Sequence, residues 1–276
     1  MKISVRHADA LRELATYLTF TPAPKQLDEL AADMRLFNPV LLVDAIKEAT
    51  ETRRRRNVEA SGQRRLLHQI YTRKVKEHSS IFPFVFAVEN AMRSAFAEAS
   101  AGKFGRLDWW VLIRDARDRG HNASGFPNIR TVPVNHVFVR SVFQAFDNIT
   151  NPEHIHAITG SNKTDEFYYT LSMGDLWNIL RADWALTRSM FCSESLGFRL
   201  KQQDFNDTMR LIKDARNEIY HSNPIKNRVK VVEACERLLD GLNFHLGDYD
   251  ADLAATKMVR VPPKVRRAHR HRTPAR

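Results

Sequence analysis

Residues 212–224 read Ile-Lys-Asp-Ala-Arg-Asn-Glu-Ile-Tyr-His-Ser-Asn-Pro. They close a run from about Asp204 in which Met209, Leu211, Ile212, Ala215 and Ile219 recur at helical spacing, and they precede a last helix over about Arg228 to Phe244. Pro224 lacks a backbone donor and disfavours helical geometry at Asn223, so the stretch predicts the exit of one amphipathic helix, a short loop and a final helix. Arg216 and Asn217 then sit in the last turns, with His221 at the exit. Asn217 and His221 are four apart and share a face. Arg216 and His221 are five apart, about 140° around an ideal helix, so they converge on one ligand only if the last turn loosens or a second subunit completes the site.

The same period extends through most of the chain. Leu11, Leu14, Ala15 and Leu18 form one apolar stripe, Leu27, Leu30, Ala31 and Met34 a second, and Leu41, Leu42, Ala45 and Ile46 a third, with Pro22, Pro24 and Pro39 between them. A basic helix is expected over about Gly62 to His78. An apolar one follows, holding Phe82, Phe84, Val85, Phe86, Val88, Ala91, Met92, Ala95 and Phe96 and ended by Gly102 and Gly105. Asp108 is the expected N-cap of a helix with Trp109, Trp110, Leu112 and Ile113, closed by Gly120. Val134, Val137, Phe138, Val142 and Phe143 fit a helix or, by their Val and Phe content, a strand. Asp147 to Glu166 is expected to be a polar loop, and Ser172 to cap a helix with Leu176, Ile179, Leu180, Trp184 and Met190. The fold class is therefore all-α. Its expected organisation is an N-terminal helical region over residues 1–78, a helical domain over 79–250 and a disordered basic tail over 251–276.

With 276 residues, 43% hydrophobic and 27% charged, the chain is long enough to bury a core and matches a globular protein. No stretch approaches about 18 uncharged apolar residues, and Arg6, Asp9, Arg12 and Glu13 interrupt the first twenty, so a cytoplasmic protein without membrane contact is expected. Cys192 and Cys235 are too few for a disulfide framework and read as buried thiols. His154 and His156 lack the companions of a metal site, and no metal or cofactor is expected. Trp109, Trp110, Trp177 and Trp184 read as core, although an exposed Trp110 could stack on a base.

The formal net charge of +11 is unevenly placed. Residues 257–276 contribute +8, including Arg266, Arg267, Arg270 and Arg272. Residues 51–78 contribute +6, from Arg53, Arg54, Arg55, Arg56, Arg64, Arg65, Arg73, Lys74 and Lys76 against three acids, so the remainder is −3. Two basic patches on a slightly acidic body suit a polyanion, because phosphate neutralisation releases counterions; RNA, DNA or an anionic membrane could each supply that charge. A solvated helix end and a solubilising tail are the plainer alternatives.

Arg, Asn and His are the residue types a phosphodiester reaction needs. A guanidinium grips two phosphate oxygens, and an imidazole with pKa near 6.5 exchanges protons at neutral pH. Neutral His221 would deprotonate a ribose 2′-hydroxyl while Arg216 stabilises charge on the non-bridging oxygens. Read as ordinary structure, Arg216 caps a helix C-terminus and His221 packs. Glu89 and Arg93, four apart, read either as an intrahelical ion pair or as the frame of a cleft, with Glu89 orienting Arg216 or Arg93 holding RNA.

Arg216-Asn217, three residues and then His221 at a helix exit resembles the HEPN superfamily (higher eukaryotes and prokaryotes nucleotide-binding domains). Phe84-Val85-Phe86-Ala87-Val88-Glu89-Asn90-Ala91-Met92-Arg93, then Phe104-Gly105 to Trp109-Trp110, and Leu171-Ser172-Met173-Gly174-Asp175-Leu176 are similar to its bacterial abortive-infection branch of the AbiD and AbiF type. The likeness spans roughly Ile81 to Phe244. It implies a HEPN-type helical bundle and a homodimer with a composite site. It also implies metal-independent endoribonuclease activity, as a toxin-like effector of phage defence. Arg216 and His221 would be the catalytic pair, with Asn217 as the polar neighbour. Some family toxins carry a Tyr two residues after the His, modified by a partner nucleotidyltransferase; that position is Asn223 here, so an antitoxin protein or RNA would act by another route. The alternative is a catalytically inactive module of the same fold that holds a structured or non-coding RNA.

Overall fold

The helical spacing is realised as an all-α chain in a computed structural model that describes residues 8–191, 200–221, 223, 225 and 227–244. The twelve α-helices among these are α1 (Ala8–Tyr17), α2 (Pro24–Leu36), α3 (Pro39–Arg56), α4 (Ala60–Phe104), α5 (Trp110–Asp118), α6 (His136–Asp147), α7 (Pro152–Gly160), α8 (Thr164–Thr170), α9 (Met173–Ala182), α10 (Trp184–Met190), α11 (Gln202–Tyr220) and α12 (Arg228–Gly241). A two-stranded antiparallel hairpin, β1 (Asn128–Ile129) and β2 (Val132–Pro133), joins α5 to α6. Cys192 and the tail, with Arg266, Arg267, Arg270 and Arg272, lie outside the described residues.

The two helices expected on either side of residue 78 are one. α4 runs 45 residues through that point and carries Pro83 inside it. Pro83 cannot donate to the Ser79 carbonyl, but the Ser79 and Ser80 hydroxyls bond back to the carbonyls of Val75 and Glu77, and Ile81, Val85, Val88 and Met92 keep one buried stripe across the proline. α4 therefore serves two cores. Its first half closes a cluster of Leu14, Tyr17, Leu30, Leu42, Ile46, Leu67 and Ile70 with α1, α2 and α3. Its second half packs against α8, α10, α11 and α12.

The second core is aromatic. Trp109 meets Phe138 at 5.6 Å and Phe96 at 6.0 Å, and Trp110 stacks on Phe167 at 4.9 Å. The Trp109 indole donates to the Tyr168 hydroxyl at 2.9 Å, which in turn donates to the Leu107 carbonyl at 3.0 Å. Trp110 is 0% exposed, so no base can stack on it. Residues 136–147 are helix, not strand, because Asn135 accepts from the Phe138 amide and caps them. Asp108 does not cap α5; its carboxylate is bound by Arg106 and Trp109 takes the cap position.

The expected loop over 147–166 is largely α7 and α8. Asn151 caps α7 with Pro152 at its first position, and Ile158 is buried. Arg114, itself buried, holds the end of α7 by bonds to the Ile158 carbonyl at 2.6 Å and Asn162 Oδ1 at 2.5 Å. His154 of the His-Ile-His sequence bonds Glu166 across the two short helices.

The basic helix pairs much of its charge with acids of neighbouring helices. Arg64 Nε donates to Asp33 at 2.9 Å and its Nη1 to Glu29, while His68 meets Asp33 at 2.7 Å. Arg73 pairs with Glu48, and Lys74 with Asp44 and Glu48. Arg53 lies 5.7 Å from the Tyr17 ring centre. Of the residues expected to meet RNA here, Arg54, Arg55, Arg56, Arg65 and Arg73 are exposed, and Arg64, Arg73 and Lys74 bridge α4 to α2 and α3.

Burial works against the charge on Asp33 and Glu48, yet hydrogen bonds from Arg64 and His68 to the first, and from Arg73 and Lys74 to the second, outweigh it and hold both carboxyls below the usual range. Their stabilisation is present above the ordinary carboxylate pKa near 4 and is lost as pH falls through the depressed folded values. Asp33→Asn should lower stability at pH 7 by about 1 kcal/mol, since solvent screens these pairs, and should flatten its decline below about pH 4; urea denaturation across pH 2–7 checks both.

Candidate active site

Glu89 lies on the buried stripe of α4, 5% exposed, and a carboxylate there must be paired. Two arginines pair it. Arg93, one turn on, donates to Glu89 Oε1 at 2.6 Å, and Arg216 of α11 donates from Nε to Oε2 at 2.9 Å and from Nη2 to Oε1 at 3.4 Å. Arg93 also donates twice to the Leu171 carbonyl, at 3.1 and 2.7 Å, tying the segment before α9 to the same point. Ser172 and Asp175 form a capping box there, and Asn148 bonds Asp175 at 2.6 Å. One carboxylate and two guanidiniums leave a surplus positive charge, and Nη1 of Arg216 has no partner among the described residues.

The amphipathic pattern of α11 buries Phe205, Met209, Ile212 and Ala215, which turns Arg216 toward α4 with 24% of its side chain exposed. The helix then ends. Tyr220 is its last residue, and His221 has φ −91° and ψ 4° with its amide donating to the Asn217 carbonyl at 3.0 Å. The Asn223 amide reaches the Glu218 carbonyl at 2.7 Å. The Asn217 and His221 side chains are both exposed, without a hydrogen bond to any described residue. Arg216 and His221 are thus placed at one helix end, and their side chains do not meet.

Tyr220 stands beside the pair, its ring centre 4.5 Å from the Arg216 guanidinium carbon and 59% exposed. Its edge meets Phe82 at 6.4 Å, and Phe82 stacks with Phe86 at 5.8 Å. An exposed aromatic strip therefore flanks Arg216. Sequence reading assigned Phe82 and Phe86 to an apolar helix without separating them from its core. The separating signal is spacing: each falls one residue after Ile81 and Val85, about 100° off the buried stripe.

His78 was also missed. It is half-buried on α4 and lines a cavity of about 420 Å³ with Tyr71, Phe82 and Ile219. Burial pushes its pKa below the ordinary value and the charge of Arg228 adds to this, against the opposing pull of Glu218 and Glu77. Burial and Arg228 thereby favour the neutral form of the His78 imidazole. Cys235, by contrast, is a buried thiol raised to about 12 and inert. Among the described residues no group of three or more His, Cys, Asp or Glu could hold a metal ion.

Glu89→Gln removes the charge that both arginines face and should cost about 3 kcal/mol of stability in urea denaturation, with part recovered in the double variant Glu89→Gln, Arg216→Met. Arg228→Gln should raise the His78 pKa, by removing one positive charge and freeing Glu77, which Arg228 holds at 2.5 Å. Imidazole titration by NMR reads that shift. Compared with protein-family models, with curated proteins and with solved structures, the chain matches none of them.

Proposed function

We propose that this chain is a HEPN-type, metal-independent endoribonuclease, a toxin-like effector of bacterial phage defence that works in the cytoplasm as a homodimer. The observation that carries the reading is the clamp of Arg216 by buried Glu89 beside Arg93, which fixes a guanidinium with a free nitrogen on the helix whose end carries an exposed histidine. A guanidinium held in one orientation grips a phosphate without first being ordered.

In the reaction, Arg216 binds the non-bridging oxygens of an RNA phosphate, and Asn217 hydrogen-bonds the same strand. Neutral His221 takes the proton of the adjacent 2′-hydroxyl, whose oxygen then attacks phosphorus. The 5′-oxygen departs with a proton given by a second imidazole, which a dimer supplies from the partner's helix end. The products are a 2′,3′-cyclic phosphate and a 5′-hydroxyl. The aromatic strip of Phe82, Phe86 and Tyr220 suits the partner subunit or a base of the strand. Exposed Arg54, Arg55, Arg56 and Arg65, with the basic residues of the tail, recruit RNA through counterion release. No described helix is long and apolar enough to cross a membrane. An antitoxin protein or RNA that covers the helix end would silence the site.

The separation of the Arg216 and His221 side chains favours one alternative: an inactive module of the same fold, in which both residues hold a structured RNA.

Purified protein incubated with a labelled tRNA pool in EDTA should yield cyclic-phosphate ends. His221→Ala, at an exposed position, should retain the fold and RNA binding while losing at least about 100-fold in rate. RNA that stays intact with the wild type yet shifts on a native gel would select the inactive module. Removing residues 257–276 should weaken binding and reduce its dependence on salt concentration.

A further inference from the structure

About 24 Å along α4 from Glu89, at 1.5 Å per residue, the helix ends at Gly105, and a cavity of about 630 Å³ opens there between α5 and the β1–β2 hairpin. That volume falls within the range of small-molecule sites. Its charges do not balance. Arg106 binds Asp108 and holds that carboxyl below its usual range, and buried Arg114 binds Asp115 at 2.7 Å, so both acids of the cavity are already neutralised. Arg119 and Arg130, also lining it, have neither an ion pair nor a side-chain hydrogen bond among the described residues, and His121 stands beside them in the same condition.

Arg130 is unusual in its backbone as well. It occupies the first of the two turn residues between β1 and β2 with φ +57°, a position where hairpins take glycine. The other non-glycine residues with positive φ among those described, Asn57, Asn162, Asn227 and Asn243, are all asparagine, the side chain that best tolerates this region. The strained arginine reaches back over the end of α4, its Nη1 3.5 Å from where a Cβ on Gly105 would lie. Such outliers carry a cost in strain, are held by the structure around them and cluster at ligand and active sites. The lining is also partly apolar, with Val111, Phe126 and the 41%-exposed Leu112, which lies seven residues before Arg119 and so on the same helical face, and Asn128 adds a polar group.

We propose that this cavity binds a nucleoside phosphate, the phosphate seated on Arg119 and Arg130 and the base laid against Leu112 and Phe126 with Asn128 at its edge. Arg119 and Arg130 lack a contact ion pair, Arg130 acting on Asp108 only through longer-range charge, so they match the charge of a terminal phosphate, and the apolar lining would be unused by inorganic phosphate alone. The site is separate from Arg216 and His221 and stands whether or not the chain cleaves RNA.

Titration calorimetry on the full chain with ADP tests this, with adenosine, inorganic phosphate and a short RNA as comparators. ADP should bind at least about tenfold more tightly than phosphate or adenosine, and a melting scan should rise with ADP. Arg130→Gly removes the cation and relieves the positive φ, so it should fold with an unchanged or higher melting temperature while ADP affinity falls at least about tenfold; Arg119→Ala should do the same to affinity. The proposal is overturned by no ADP binding, by binding undiminished in both variants, by phosphate matching ADP, or by RNA binding more tightly than ADP and losing that binding in Arg130→Gly, which would make the cavity a strand groove.

Discussion

Glu89 is a carboxylate in the packed interior, and a charge so placed is tolerable only if it is paired and hydrogen-bonded. Its two partners come from different parts of the chain: Arg93 from its own helix and Arg216 from α11, 127 residues on. Arg93 brings in a third element through the Leu171 carbonyl. One buried charge thus sets how α4, α11 and the start of α9 meet. The same constraint bears on the proposed chemistry, because a guanidinium held through Nε and Nη2 keeps one nitrogen without a described partner for a ligand.

α4 spans both cores, and this explains where the basic residues went. A helix packed along its first half against α2 and α3 cannot keep every arginine in solvent; those facing the acids of its neighbours form cross-helix pairs with Asp33, Glu29, Asp44 and Glu48. Arg65 on α4 and Arg54, Arg55 and Arg56 at the end of α3 stay exposed and unpaired with these acids. A net charge summed along sequence therefore overstates what a ligand meets.

The helix exit at Tyr220 and His221 joins the candidate site to a surface. Arg216 is anchored below, Tyr220 and Phe82 continue the aromatic strip, and Asn217 and His221 face solvent. A single subunit does not bring His221 onto Arg216, so the chemistry proposed here requires a ligand or a second subunit to bridge them. His78, whose neutral form burial and Arg228 favour, lines the neighbouring cavity.

Sequence alone determined the all-helical class, because the 3.6-residue apolar period is a local property that survives any packing, and it placed the helix exit because Pro224 acts on its own neighbours. It also put Glu89 and Arg93 together, since four residues of helix suffice. Local signals misled where a break was inferred from composition: the change from basic to apolar near residue 78 does not interrupt α4, and the polar stretch after Asp147 still holds α7 and α8, whose anchor is Arg114 from a different helix. Only the tertiary structure decided which cations are neutralised, that Glu89 meets Arg216, that Phe82 and Phe86 lie outside the core, and that Arg119 and Arg130 share a cavity. Each of these depends on contacts between segments far apart in sequence, and no local pattern encodes which side chain will stand opposite.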